Sequence, residues 1–425
     1  MGDFDADVIG IGFGPSNIAL AVALEELYPD VRAVFLESRA APGWQSGMLL
    51  SGSDIQHHPV RDLVSPRNPQ SRYSFLNFLH VEGRLFDFLN LNIPFPLRKD
   101  YARYVTWAAR HFDDQVRYAC PVAGVSAPDG ERGATVHLAD GRELRARSVV
   151  LAPGRPPLVP PAFQALADDR VFHYVRYLEH VERIAERPGA HIAVIGGSQG
   201  AAEVSLDAAQ RFPRSRVTNV LRGFGYRQKD LSPFNGEVFF PEFVDYYYDA
   251  SPESKRDLDR QLRYTNYSAA DMDVLTAYHT RLYEQRLDGD HQIQLRRNTD
   301  VTGVTAREDG IALELTERHV GETTRLDADF VVLATGLLDL TDEDGPQFLP
   351  SLLDGVAGSV GRTPTRYARV GRDYRLLPAA GAELPPIYLN GLCETSHGLG
   401  DAGSFSLVSL RAAAIADSVS KVLVP

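Results

Sequence analysis

Gly12, Gly14 and Asn17 stand at the GxGxxG spacing of a dinucleotide-binding turn, with asparagine in the last place. Val8 to Ile11 before them form an apolar run that fits a buried parallel strand, and Ile18 to Leu24 continue as an apolar helix face. In such a turn, glycines let the backbone approach a pyrophosphate, and the helix N-terminus stabilises its negative charge. A second apolar run, Ala33 to Leu36, ends at Glu37, where an acid usually binds a ribose hydroxyl. A glycine-rich turn that merely lets a helix pack closely is the alternative. The strand before, the helix after and the acid in place favour a nucleotide, with Gly12, Gly14, Pro15, Asn17 and Glu37 as its expected contacts.

A second unit of this kind follows in HIAVIGGSQGAAE. Ile192 to Ile195 predict a strand, and Gly196, Ser198 and Ala201 occupy the three fingerprint positions, with Gln199 among them. The next predicted strand, Val217 to Leu221, ends at Arg222 rather than at an acid. An acid there suits a free 2′-hydroxyl and an arginine suits a 2′-phosphate, so NADPH is expected at this loop. The alternative for Arg222 is a solvated surface charge. Two loops predict two cofactors. Two further apolar strands that end in small-residue turns, VVLAPGRPP and FVVLATGLL, read as the points where the chain crosses between two nucleotide domains. Thr335 and Gly336 lie in the second and join the expected cofactor contacts.

The elements that hold these loops predict an α/β fold. It has two Rossmann-like dinucleotide-binding domains and a smaller, mainly helical substrate-binding region. The arrangement resembles the two-dinucleotide flavoproteins, whose usual order of flavin first and nicotinamide second implies FAD in the first domain and NADPH in the second. Residues 1–165 and 325–425 are assigned to the FAD domain and 166–324 to the NADPH domain. Residues 229–286 break the βα rhythm with an aromatic, proline-bounded patch, SPFNGEVFFPEFVDYYY, and are expected to build a substrate pocket. The chain's 425 residues suffice for two or three domains. A net charge of −12 argues against nucleic acid or an anionic membrane surface as partner. The two cysteines, Cys120 and Cys393, form no CxxC, so a disulfide framework, a zinc site and a dithiol redox centre lack support, and no metal is expected. Asp3, Asp5 and Asp7 stand where a signal peptide would carry basic residues, and a cytoplasmic location is expected.

Beyond the loops, SDIQHHPVRDLVSPRNP concentrates His57, His58 and Arg61 in one proline-broken segment. This block and GIGFGPSNIAL, WQSGMLL, SRYSFLNFLH, VIGGSQGAAE, EVFFPEF, TNYS, LATG and HGLGD carry a family likeness across nearly the whole chain. The sequence resembles the flavin-dependent N-hydroxylating monooxygenases, which include the ornithine and lysine N-monooxygenases of siderophore biosynthesis. The resemblance implies FAD, NADPH and O2 as reactants, a small-molecule amine as substrate, and a homo-oligomer, tetramer or dimer. It implies a flavin hydroperoxide whose distal oxygen is attacked by a neutral amine, with the oxidised nicotinamide still bound. No side-chain nucleophile is then needed. Trp44 and Gln56 are placed close to the isoalloxazine by the likeness, and Gln56 and Asn266 become the expected positioning residues.

The same likeness exposes departures. Ornithine enzymes usually read SFLKDL after the glutamine, and that lysine binds the substrate carboxylate; here the segment is HHPVRDL, with Arg61 in its place. Their SPFVNE becomes SPFNGE, so Gly236 takes the asparagine position and Asn235 stands one earlier. Asn266 in TNYS is kept. Near the C-terminus HGLGDAGSFS carries an apparent one-residue insertion, with Ser404 as the expected substrate contact. A cluster of His57, His58 and Arg61 near the flavin would suit a substrate with two carboxylates, so L-aspartate is the expected substrate, with L-ornithine, L-lysine or a diamine as the alternative. The plain readings are a structural His-His pair and a local Arg61–Asp62 ion pair. A Baeyer–Villiger enzyme lacks support because FxGxxxHxxxWP is absent, and a disulfide reductase because no cysteine pair exists. A non-catalytic NADPH-sensing flavoprotein is the remaining rival, separated by turnover.

Overall fold

The computed structural model describes residues 4–128, 133–401 and 403–423. Its first sheet is built on Ala6–Ile11, an apolar strand buried on both faces, as a central parallel strand requires. Ala33–Leu36 and the long strand Glu143–Leu151 flank it in parallel. Val116–Arg117 extends one edge. On the other side, Glu143–Leu151 divides its pairing. Its first half closes an antiparallel meander with Ala134–Leu138 and Val122–Ser126, and its last residues pair in parallel with Ile387–Leu389. The C-terminal helix Val408–Leu423 packs against the first-loop helix Pro15–Leu27, so both chain ends share one core.

The second sheet is wholly parallel, in the order Ile293–Arg296, Arg216–Val220, His191–Ile195, Phe330–Leu333, Val171–His173. The antiparallel sheet of Thr299–Ala306, Ile311–Glu317 and Thr323–Ala328 covers one face. The helices Gln199–Arg211 and Met272–Leu287 pack together and cover the other.

These pairings move two of the expected boundaries. Phe330–Leu333 lies between two strands of the second sheet, so the chain returns to the first sheet after Leu333 and not at 325. At the other crossing, Val159, Ala162 and Phe163 already pack into the second domain's core, ahead of residue 166. The helical insertion is also shorter than 229–286. Tyr278 and Leu282 of Met272–Leu287 belong to that same domain's core. Apolar periodicity finds a helix but does not say which sheet it covers. No helix among the described residues is long and apolar enough to cross a membrane, and none of their His, Cys, Asp and Glu side chains gather into a group of three or more that would hold a metal.

One buried ion pair joins the two domains. Arg98, in the helix Arg98–Arg110, meets Glu203 of the second-loop helix through two hydrogen bonds of 2.9 and 2.8 Å, and also donates to Met48 O. Both side chains are less than a tenth exposed. Taking one partner away strands the other charge in a dry interface. We therefore expect Arg98→Met to destabilise the protein by about 3–5 kcal/mol in denaturant titration, and Arg98→Met with Glu203→Met to recover most of it. Equal losses in the single and double variants would show that the pair does not hold the domains.

Candidate active site

The two loops are built alike, atom for atom in several places. Gly12 N donates to Leu36 O on the neighbouring strand at 2.8 Å; Gly196 N donates to Val220 O at 2.9 Å. Ala152 N bonds back to Ile11 O and Ala334 N to Ile195 O, both at 2.8 Å, so each crossing turn is stitched to its loop. A Cβ on Gly12 would lie 2.3 Å from Ala152 O, and one on Gly196 would lie 2.2 Å from Ala334 O. Gly12 also has φ +85°. Asn17 Nδ2 donates to Gly12 O at 2.7 Å, and Asn219 Nδ2 donates to Gly196 O at 2.9 Å. Beyond each turn a helix N-terminus is free of any side-chain cap, at Gly14 and at Ser198. Space is open where a Gly14 side chain would stand. The first loop thus presents its helix N-terminus to a space that a phosphate fits, while at the second loop Gln199 N already donates to Ala269 O at 3.1 Å.

One cavity of about 2000 Å³ runs from the first loop to the second. Gly12, Gly14, Pro15, Glu37, Trp44, Gln56, Gly196, Ser198, Gln199, Arg222, Asn266, Thr335, Gly336 and Ser404 all line it. Glu37 is buried, accepting from Phe13 N at 2.8 Å and from Arg39 N and Nε. Burial alone would raise its carboxyl, but the Arg39 guanidinium and these N–H donors outweigh that and hold it below the usual range. Arg222 is exposed just past the strand Arg216–Val220. Trp44 packs edge-on against Phe405.

Two expected cofactor contacts do not reach the cavity. Asn17 is wholly buried, tied to Gly12 O and, through Oδ1, to Asn390. Ala201 is buried in the second core. The third fingerprint position serves the packing of helix on strand, which any small or self-satisfied side chain supplies.

The cationic cluster does not form. His57 is wedged against Tyr101 and Phe405, with ring centroids 5.2 and 5.3 Å away. Burial, with nearby Lys229 and Arg61 adding to it and the bond to His58 O opposing it, pushes its imidazole down to about 3. His57 is therefore neutral at physiological pH. His58 is exposed and holds its ring against Val60 N. Arg61 is half-buried, 3.3 Å from Ser406 Oγ and over the Phe239 ring. Its neighbour Asp62 turns away to accept from Val64 N, Ser65 N and Phe75 N, so the Arg61–Asp62 pair is not made either. Asn235 is bound to Asp230 at 2.5 Å and lies outside the cavity lining. Ser404 lines it, while its hydroxyl accepts from Ser406 N at 3.0 Å.

Gln56 has φ +61°, an unusual conformation for a side-chain-bearing residue, held by its N–H to Asp54 Oδ1 at 3.0 Å. Its Nε2 and both Asp271 carboxylate oxygens are buried and electrostatically coupled, yet not joined by a well-formed hydrogen bond. Lys229 Nζ reaches Gln56 O at 3.3 Å, its ammonium depressed by burial. Burial and the Asp271 charge raise Asp54 to about 6. An orphaned amide in the wall between two nucleotide loops fits a polar ring edge placed there. Asp54 stands two residues before Gln56 in the same motif, whereas Lys229 and Asp271 lie far away in sequence and only folding brings them to Gln56. Asn266 Nδ2 donates to Leu399 O at 3.0 Å, which ties TNYS to the C-terminal motif.

The L-lysine 6-monooxygenase/L-ornithine 5-monooxygenase family model matches residues 5–338. An L-ornithine N(5)-monooxygenase of Burkholderia cepacia is 38% identical, over 92% of this chain and 89% of its own. One from Pseudomonas aeruginosa is 37% identical, over 99% and 94%. Among solved structures, the Pseudomonas aeruginosa ornithine hydroxylase superposes with a TM-score of 0.89 at 36% identity, covering 98% of this chain and 99% of that one. The Kutzneria sp. 744 ornithine N-hydroxylase, described with reduced FAD, NADP+ and L-ornithine, gives 0.91 at 32% identity, covering 98% and 99%. The twin loops, the shared cavity and these matches agree: the chain belongs to the L-lysine 6-monooxygenase/L-ornithine 5-monooxygenase family of flavin-dependent amine N-monooxygenases.

Proposed function

We propose that this protein uses FAD, NADPH and O2 to hydroxylate the side-chain amine of a small α-amino acid of the L-ornithine type. The observation that carries the reading is the state of the HHPVR segment: one charged guanidinium, Arg61, beside a neutral, partly buried His57. That set suits one carboxylate held away from the reacting nitrogen. It does not suit two carboxylates at the flavin, so the expectation of aspartate gives way, as the L-ornithine enzymes named above also favour.

FAD at the first loop and NADPH at the second supply the redox chemistry when bound. This chain's residues do the rest. Arg61 stands outside the cavity lining, with one N–H on Ser406 Oγ and its plane over the Phe239 ring; none of the ion pairs among the described residues involves it, and the reading turns its remaining N–H groups to the substrate's carboxylate. Asn266 and Gln56 line the space where the amine is expected. An amine must be neutral to attack, and Lys229, which reaches Gln56 O, disfavours an ammonium there. Trp44 and Phe405 exclude water on one wall.

Purified protein given FAD and NADPH is expected to convert L-ornithine to its N-hydroxylated product, read by mass alongside NADPH consumed. Hydroxylation of aspartate alone from a panel with lysine, putrescine and cadaverine would overturn the reading. Arg61→Ala removes charge-assisted hydrogen bonds worth about 1.5–3 kcal/mol, so KM for L-ornithine should rise about ten- to hundredfold, with flavin reduction by NADPH unchanged. An unaltered KM would take Arg61 out of the substrate site. Arg222→Ala should raise KM for NADPH and leave that for NADH alone; an unchanged preference would put the 2′-phosphate elsewhere.

A further inference from the structure

Four side chains from four segments meet in the cavity wall at the seam between the domains. Arg155 stands on the first crossing turn, Asp339 just past the second, Tyr267 in TNYS, and Glu394 at the start of the short helix Glu394–His397. Arg155 Nη1 lies 2.8 Å from Asp339 Oδ1, 2.9 Å from Tyr267 Oη and 3.6 Å from Glu394 Oε2. Tyr267 Oη donates to Glu394 Oε2 at 2.5 Å. All four line the cavity.

The group has one guanidinium and two carboxylates. Asp339 is a third exposed, whereas Glu394 is buried. Burial, then the Asp339 charge, lifts the Glu394 carboxyl to about 8, against the opposing pull of Tyr267 and Arg155; Asp401 adds to the rise. Tyr247, on the helix packed against this one, also faces Glu394. Tyr267 is raised well above its ordinary value by burial and stays neutral. Near pH 7 the group is thus balanced, with the surplus carboxyl holding a proton. Ionised, it carries one net negative charge into the cleft.

The crossing turns that carry Arg155 and Asp339 also roof the two nucleotide loops, through Ala152 and Ala334. Hydride transfer requires reacting atoms about 3–3.5 Å apart, so the two redox rings have to meet between these turns. Oxidation adds one positive charge to a nicotinamide ring without changing its outline. We propose that Glu394 is the residue by which the cleft tells oxidised from reduced nicotinamide, holding NADP+ more tightly by giving up its proton beside the cationic ring. The electron pair leaves with the hydride, to the flavin. The proton on Glu394 leaves to solvent, and Arg155 and Tyr267 keep the resulting carboxylate aimed at the cavity. The proposal rests on FAD and NADPH as the bound pair.

Calorimetry tests this on anaerobic, chemically reduced holoenzyme, where neither nucleotide turns over. NADP+ and NADPH are titrated at pH 7.5 in buffers of different ionisation enthalpy. NADP+ binding should release about 0.5–1 proton and NADPH about none. NADP+ affinity should rise by up to about tenfold per pH unit below pH 8 and then level off, while NADPH affinity stays flat. Glu394→Gln should abolish the proton release and weaken NADP+ about tenfold at pH 9, leaving NADPH within about twofold. Glu394→Asp keeps a carboxylate and should keep the release, and the wild-type difference decides the matter if neither variant folds. Equal proton counts for the two nucleotides, or an equal loss of both in Glu394→Gln, would overturn the proposal alone. Failure of both nucleotides to bind wild-type protein would overturn the cofactor reading with it.

Discussion

Two carbonyl oxygens, on Ala152 and Ala334, lie so close to Gly12 and Gly196 that no side chain fits between. Everything that faces the cavity depends on this contact. It brings each crossing turn onto the loop that precedes it, so that a single chain passes twice between the sheets at the same place. The turns then carry Arg155 and Asp339 into the seam, where both line the cleft. A methyl group at either glycine would push the crossing turn outward and open the seam. The asparagine bonds from Asn17 and Asn219 to the carbonyls of those glycines hold the turns from behind.

Buried charges then fix what surrounds the cleft. Arg98 and Glu203 lock one domain to the other. Arg411 and Asp401, both almost fully buried, tie the C-terminal motif to the first loop: Arg411 Nε donates to Asn390 Oδ1 at 2.8 Å and its Nη2 to Ser16 Oγ at 3.1 Å. Such pairs give up hydration on burial and add little net stability, but each penalises every arrangement in which its partner is absent. They specify geometry. Arg155 differs because it faces two carboxylates, and the surplus is what makes that corner sensitive to charge.

Much of this arrangement is legible in the amino-acid sequence because it is local. The strand Ala33–Leu36 is where the apolar run puts it, and Arg222 follows its strand as the spacing implies. Fingerprint, strand and helix lie within one short stretch, so their physics does not wait on tertiary structure. His57 is the counter-example. Its neighbours in sequence made it look like a donor, but Tyr101 and Phe405 arrive from distant segments and pack on it as a neutral, partly buried ring. The second crossing strand, Phe330–Leu333, misled in the same way: its pattern shows a buried strand but not which sheet pairs with it. Glu394 has no local signal at all. Its behaviour follows from Arg155, Asp339 and Tyr267, which only the closed fold assembles.

The central claim is that one cleft brings a flavin at the first loop into contact with a nicotinamide at the second. Rapid mixing of the FAD-loaded protein with NADPH under anaerobic conditions tests it most directly, by following the flavin's visible absorbance. The account predicts bleaching in a single exponential phase whose rate saturates with NADPH, before any amine or oxygen is added. A protein that holds FAD and binds NADPH yet leaves the flavin oxidised would contradict it, because the two loops would then not share a site.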